Sequence, residues 1–239
     1  MQGENASLTP EPGHLYVVAT PIGNLADLSQ RALSILEKVD CIACEDTRNT
    51  GLLISRIFEE KRPLIAYHDH NEKKIASPLV DRIESGESIA LVSDAGTPAI
   101  SDPGFRLVRE CRKRGIPVVP VPGACAFTTL LSASGLPSSS VLFVGFLPPK
   151  SAARKRFLEE NKELKHTIAL YESCHRIEKF LKEIVEILGP EREICIGREL
   201  TKKFETILTG PSSEVNAKLS NSSKKGEFVV LIAPIDFKL

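Results

Sequence analysis

Four segments concentrate residue types suited to chemistry, and each follows an apolar run. Thr20-Pro21-Ile22-Gly23-Asn24 is short and uncharged. Glu45-Asp46-Thr47-Arg48 sets two acids side by side, fit for a general base or for a helix N-cap. The stretch from Ser93 to Gly104, S-D-A-G-T-P-A-I-S-D-P-G, holds two glycines, two prolines and two aspartates. It is too long for a minimal turn, and glycine lets backbone approach a ligand closely. Tyr171-Glu172-Ser173-Cys174-His175-Arg176 ends one apolar run and starts a helical pattern. Its His175 could be catalytic, although a lone His at a helix start is more often solvated or capping. Lys150, Arg154, Lys155 and Arg156, with Lys202 and Lys203, read either as solvated helix faces or as phosphate contacts. His68-Asp69-His70 lacks a third well-spaced metal ligand, so a polar strand end is the better reading. The chain contains no G-x-G-x-x-G, G-x-x-x-x-G-K-[ST] or G-x-S-x-G, which disfavours conventional dinucleotide, P-loop and hydrolase sites.

The elements that must position these segments follow from periodicity. Strands are expected at 15–19, 40–43, 64–68, 88–93 and 117–121, with 141–145 closing the same sheet. Helices fit between them. The first has a stripe of Leu28, Ala32, Leu36 and Val39, with Asp27 as its cap. Others fall near 48–58, 71–85 and 102–114, the last with Pro103 in its first turn and Ser101 or Asp102 as cap, and another follows Gly123. Near-continuous apolar strands alternating with helices imply a mostly parallel sheet covered on both faces. Ligands then bind beyond the carboxyl ends of the strands, where the four segments lie. Leu147-Pro148-Pro149-Lys150-Ser151 reads as a linker, because paired prolines continue neither helix nor central strand. The expected division is an α/β domain over 13–147 and a second over 151–239. The second has a helix from Ala152, strands at 167–171, 193–197, 204–208 and 228–233, and a strongly striped helix at 175–188, a mixed-sheet pattern.

Composition narrows the class. With 239 residues, 42% of them hydrophobic, the chain is long enough for two cores, built from Leu, Ile and Val since Trp is absent. Lys plus Arg and Asp plus Glu both number 31, so any nucleic-acid contact rests on local basic patches. The polar, acid-bearing N-terminus does not read as a secretory signal, and no apolar run approaches the ~20 residues that span a bilayer. A cytoplasmic location without membrane association is expected, with six reduced cysteines. Cys41 and Cys44 lie three apart on a strand, hence on opposite faces, which makes them buried structural thiols and not a redox pair.

Taken in order, these loops resemble the tetrapyrrole-methylase superfamily of S-adenosylmethionine enzymes. They are most similar to its ribosomal RNA branch, which methylates a cytidine ribose 2'-oxygen in small-subunit 16S RNA. The matching runs are L-Y-V-V-A-T-P-I-G-N-L from Leu15, C-E-D-T-R from Cys44, Y-H-D-H-N from Tyr67, L-V-S-D-A-G-T-P from Leu91 and I-S-D-P-G from Ile100. V-P-G from Val121, G-F-L-P from Gly145, Y-E-S from Tyr171 with His175-Arg176, R-E-L-T-K-K-F-E from Arg198 and K-G-E-F from Lys225 complete them. The series runs from about Gly13 to Ala233. Two departures stand out: Cys174 replaces the branch's usual Pro, and many relatives carry a further helical segment after the last strand.

The resemblance implies two α/β domains with S-adenosylmethionine in the cleft between them, a homodimer, and the small ribosomal subunit as partner. By position it implies cofactor contacts from Pro21, Asp94, Ala95, Gly96, Ser101 and Asp102. On the second-domain side they come from Phe146, Tyr171, Ser173, Glu199, Thr201, Gly226 and Glu227. A ribose hydroxyl needs a base, for which Glu45, Asp46, Glu199 and Lys202 are candidates. RNA contacts are expected from Arg48, Arg154, Arg176, Lys202 and Lys203. No metal is required. The rival activities are methylation of a corrin or porphyrin precursor at carbon and non-catalytic binding of a nucleoside or RNA.

Overall fold

Every strand of the first half carries the apolar run that a doubly covered sheet demands, and the computed structural model, which describes residues 9–239, assembles them accordingly. β1 (Leu15–Val18), β2 (Cys41–Cys44), β3 (Leu64–Ala66), β4 (Ile89–Val92) and β5 (Val118–Val121) form one sheet in the order β3-β2-β4-β1-β5. All four pairings are parallel. Alternation divides its side chains between two cores. Leu15, Cys41, Ala43, Ile89 and Leu91 pack on α3 (Glu72–Glu84) and α4 (Phe105–Lys113). Tyr16, Val18, Ile42, Cys44, Ala90 and Val92 pack on α1 (Gln30–Lys38) and α2 (Thr47–Ile57). Cys41 and Cys44 thus sit in different cores, both as free thiols. Each such Leu or Ile, wholly withdrawn from water, contributes roughly 1.5–3 kcal/mol.

Two helix starts differ from expectation. A 3-10 turn at Leu25–Asp27 intervenes before α1, so Ser29, not Asp27, caps that helix, its hydroxyl accepting from the Ala32 N–H. α4 begins only after Gly104, whose φ of 144° is closed to a helix and to other residue types; Ser101 and Asp102 therefore cap nothing there.

The second compact unit runs from Ala126 to Leu239. Its sheet is mixed, in the order β6 (Val141–Phe146), β7 (Thr167–Ser173), β10 (Glu227–Ile232), β8 (Glu193–Arg198), β9 (Thr206–Pro211). β6 pairs parallel to β7, and the other neighbours are antiparallel. The strand at 141–145, expected to close the first sheet, instead edges the second. The 147–151 linker accordingly lies inside this unit, behind β6. α6 (Ser151–Glu160), α7 (Ile177–Leu188) and α8 (Ser212–Ser220) cover one face over a core of Ile168, Leu170, Phe180, Ile184, Ile196 and Val230. α5 (Ala126–Ala133) packs against β7 and β10. Among the described residues no helix is long and apolar enough to cross a membrane.

Candidate active site

In the first unit the carboxyl ends of β1, β2 and β4 are laced into one rim. Thr20 and Gly96 exchange backbone hydrogen bonds of 2.8 and 3.0 Å, tying the loop of Pro21 to that of Asp94 and Ala95. Asp94 accepts from the Asp46 N–H at 3.2 Å and from the Asn49 side-chain amide at 2.8 Å. The Asp94 N–H in turn reaches Glu45 at 3.5 Å. Ala99 and Ser101 are held at φ of 66° and 62°, backbone that costs non-glycine residues energy and tends to persist at functional sites. Pro21, Glu45, Asp46, Arg48, Asp94, Ala95, Gly96, Ser101 and Asp102 are therefore brought together on this rim.

Electrostatics separates the acids. Asp46 caps α2 by accepting from the Arg48 N–H at 2.8 Å and grips the Arg48 guanidinium, which holds its carboxyl at about 2. Both of its oxygens accept from Arg48, so its role is the cap. Burial raises Glu45 above the usual carboxylate range, with Asp94 and Asp69 adding to the effect. Burial, then the charges of Glu45, Asp94 and Asp69, push Asp102 up to about 7. Among the described residues neither Glu45 nor Asp102 forms an ion pair, so the rim suits a cationic ligand.

Asp102 supplies a pH-dependent prediction. The folded chain keeps this proton to about pH 7, while the unfolded chain releases it near 3.8. Between those values the native state binds more protons, so stability falls as pH rises, and the penalty is constant above. Asp102→Asn should therefore leave the melting temperature of the ligand-free protein unchanged at pH 4 and raise it by about 2–4 °C per kcal/mol of relief at pH 8. Equal shifts at both pH values in thermal scans would refute this.

In the second unit the strand register gathers the other expected residues at one end of the strands of its sheet. Phe146 pairs with Tyr171, Ser173 with Glu227, and Phe228 with Arg198. Phe146 is exposed, its ring tilted against Tyr171 at 5.6 Å, and Tyr171 meets Phe143 edge-on at 5.2 Å. Beyond β8 the chain turns through Glu199 (φ 51°) and Thr201 (φ 66°), both left-handed. The turn aims the Lys202 ammonium at two carboxylates, Glu199 at 2.9 Å and Glu227 at 2.8 Å. Glu199 also accepts from the Glu227 N–H at 3.0 Å. Burial opposes its charge, but Lys202 and that N–H outweigh burial and hold its carboxyl below the usual range. The two carboxylates outweigh burial at Lys202 and raise its ammonium, so Lys202 stays charged and does not serve as a base. Among the described residues the buried Thr201 hydroxyl has no hydrogen-bond partner.

Two expected RNA contacts are engaged elsewhere. Arg154 is a core residue, its side chain 2% exposed and bonded to Glu183, itself 3% exposed. Arg176 turns inward to the buried Glu172 at 2.8 Å and to the Leu147 carbonyl at 3.3 Å. Arg48 and Lys203 remain at the surface. Glu183 is the member of this network that the sequence reading missed, and Glu172 figures in it only as part of its segment. Glu183 had a signal, since it lies three residues after Phe180 on the buried stripe of α7. Among the described residues no group of three or more His, Cys, Asp or Glu is arranged to hold a metal.

The family model for tetrapyrrole (corrin/porphyrin) methylases matches residues 14–216. The chain is 54% identical over 220 residues to the ribosomal RNA small subunit methyltransferase I of Vibrio cholerae, covering 91% of this chain and 76% of that one. It is 49% identical over 231 residues to the protein of the same name from Escherichia coli O157:H7, covering 96% and 80%. Among solved structures, the methyltransferase CobJ aligns with a TM-score of 0.67 at 16% identity, over 93% of this chain and 94% of that one. Thermus thermophilus uroporphyrin-III C-methyltransferase, complexed with S-adenosylhomocysteine, aligns at 0.62 and 16% over 93% and 98%. Both structural likenesses concern the fold. With the family model spanning most of its length and close relatives matching across both units, the chain belongs to the tetrapyrrole methylase family.

Proposed function

We propose that this chain transfers a methyl group from S-adenosylmethionine to a cytidine ribose 2'-oxygen in 16S ribosomal RNA. The observation that carries the reading is identity near 50% over more than nine-tenths of the chain with small-subunit RNA methyltransferases. Solved cobalt-precorrin-4 and uroporphyrin-III C-methyltransferases share the fold at 16–19% identity, so methylation of a corrin or porphyrin carbon is the weaker reading. A homodimer acting on the small subunit is part of the proposal.

The residues present fit the donor. Its sulfonium and ammonium groups would meet Glu45 and Asp102, whose carboxyls burial raises, with Asp94 beside them, and the Thr201 hydroxyl, without a hydrogen-bond partner among the described residues, has a free capacity to bond. We assign the first unit's contacts to Pro21, Asp94, Ala95, Gly96, Ser101 and Asp102. In the second unit they fall to Phe146, Tyr171, Ser173, Thr201 and Gly226. The bound donor supplies an electrophilic methyl group open to in-line displacement, so alignment provides much of the rate. The proton of the ribose hydroxyl is assigned to Glu199. Its carboxylate is kept ionised, and Lys202 and Glu227 fix its place. Lys202 positions Glu199 and offers charge to the developing alkoxide.

Labelled donor incubated with unmodified 30S subunits, with naked 16S RNA and with a tetrapyrrole precursor separates the readings. Label should appear at one ribose of the RNA. Label on the tetrapyrrole, or on a nucleobase, would overturn the assignment. Light scattering of the purified protein checks the dimer.

A further inference from the structure

Beyond β8, the chain from Glu199 to Glu205 ends in a side chain that folding alone does not explain. Phe204 is 65% exposed, although a phenyl ring gains most from burial. Its backbone is not free to tuck the ring away. The Arg198 guanidinium donates to the Phe204 carbonyl at 3.3 Å, the Lys225 carbonyl at 2.6 Å and the Ser223 hydroxyl at 3.3 Å, stapling two loops together. The Thr206 hydroxyl adds a bond to the same Phe204 carbonyl, and the Glu205 N–H donates to the Lys202 carbonyl at 3.1 Å.

The charges around the ring are sorted. Glu205 bends back to accept from the Thr201 N–H at 2.6 Å. Glu199 and Glu227 are engaged on Lys202. Lys203 stands over the Phe204 ring at 5.6 Å, and neither it nor Lys225 has a carboxylate partner among the described residues. A rigidly presented aromatic face beside uncompensated cations is the chemistry that binds single-stranded nucleic acid, with the ring stacking on a base and the cations tracking phosphates. From this juxtaposition we propose that Phe204 is a stacking platform for an unpaired nucleobase of the RNA substrate, flanked by phosphate contacts from Lys203 and Lys225. The inference rests on the RNA reading above and adds a residue to it.

The chain contains no tryptophan, so Phe204→Trp introduces a single fluorophore at the platform. Its emission should be quenched on titration with a single-stranded oligoribonucleotide carrying the target sequence, and less by a fully paired duplex. On 30S subunits, Phe204→Ala should raise KM about 10-fold or more, the loss of one stacked base. Its kcat and donor affinity should be unchanged, and Phe204→Trp should restore KM. Lys203→Met and Lys225→Met should each flatten the salt dependence of binding by about 0.7 in log–log slope. Unquenched tryptophan with unchanged KM overturns the platform. So does a Phe204→Ala protein that falls from dimer to monomer, which would make the ring a contact between copies. Failure of the wild-type protein to methylate RNA would instead sink the substrate assignment, and the fluorescence titration distinguishes the two failures because it needs no turnover.

Discussion

Arg154→Met should lower the stability of the protein by about 3–5 kcal/mol, a fall on the order of 10 °C in the melting temperature of the second unit. The guanidinium is 2% exposed and makes paired bonds of 2.7 and 2.8 Å to Glu183, while its third nitrogen holds the Pro149 carbonyl at 2.7 Å. Methionine fills much of the volume but leaves a buried carboxylate whose remaining bond is to the Ser151 hydroxyl. Burial already opposes the charge on Glu183; in the native protein Arg154 and Ser151 outweigh it and hold the carboxyl below its usual range. That native contribution is present above the unfolded value of 4.5 and is lost as pH falls through the folded value. With Arg154 gone, burial prevails and the folded value rises above the unfolded one. The deficit should then be smaller at pH 5 than at pH 8. Arg154→Met with Glu183→Met, which removes both charges, should recover most of the loss. If Arg154 were instead an RNA contact on a solvated helix, the single substitution would move stability by less than about 0.5 kcal/mol and weaken RNA binding. Urea denaturation at the two pH values decides between them.

The misreading of Arg154 shows where sequence patterns lose their grip. Arg154-Lys155-Arg156 is a basic run, and runs of charge normally face water. Helical spacing points the other way, because Arg154 lies four residues before Leu158, which is wholly buried. The alternating pattern of the first half needed no such arbitration. Four-residue strands such as Ile89–Val92 are buried throughout, as doubly covered strands must be, and the two-residue period sends Cys41 and Cys44 into opposite cores. The strand over Val141–Phe146 was legible as a strand but not as a member of a particular sheet. Its pairing of Val141 with Thr167 joins residues 26 apart, across the proline linker and all of α6. Loop order was legible too, but the left-handed backbone at Ala99, Ser101, Glu199 and Thr201 carried no glycine to announce it. Such strain is imposed by surrounding bonds, so local residue preference does not reveal it.

That strain bears on the larger functional prediction, at Gly226. The residue sits at φ 112°, and the carboxylate arm of Glu199 lies directly across its α-carbon, where a β-carbon would overlap Cγ, Cδ and Oε1 of Glu199. Gly226→Ala must therefore displace the arm while leaving every ionisable group in the chain. Lys202 would keep Glu227 and lose Glu199, and the Glu227 N–H would lose its acceptor. If Glu199 takes the ribose proton, kcat should fall by about 10²–10⁴, the usual contribution of a placed base. The alanine's own strain should cost only about 1–3 kcal/mol of stability. Glu199→Gln keeps the shape and removes the charge, so it should reproduce the loss of kcat without the strain. Calorimetric titration of the donor divides the two roles open to Glu199: unchanged affinity with reduced kcat places it at the hydroxyl, whereas weakened affinity with normal kcat at saturation places it on the donor. Lys202→Met completes the argument. Without the ammonium, the Glu199 carboxyl rises, the ionised form is lost at a higher pH, and the acid limb of the kcat profile should move upward. A Gly226→Ala enzyme with the wild-type kcat and an unmoved acid limb in Lys202→Met would remove Glu199 from the chemistry.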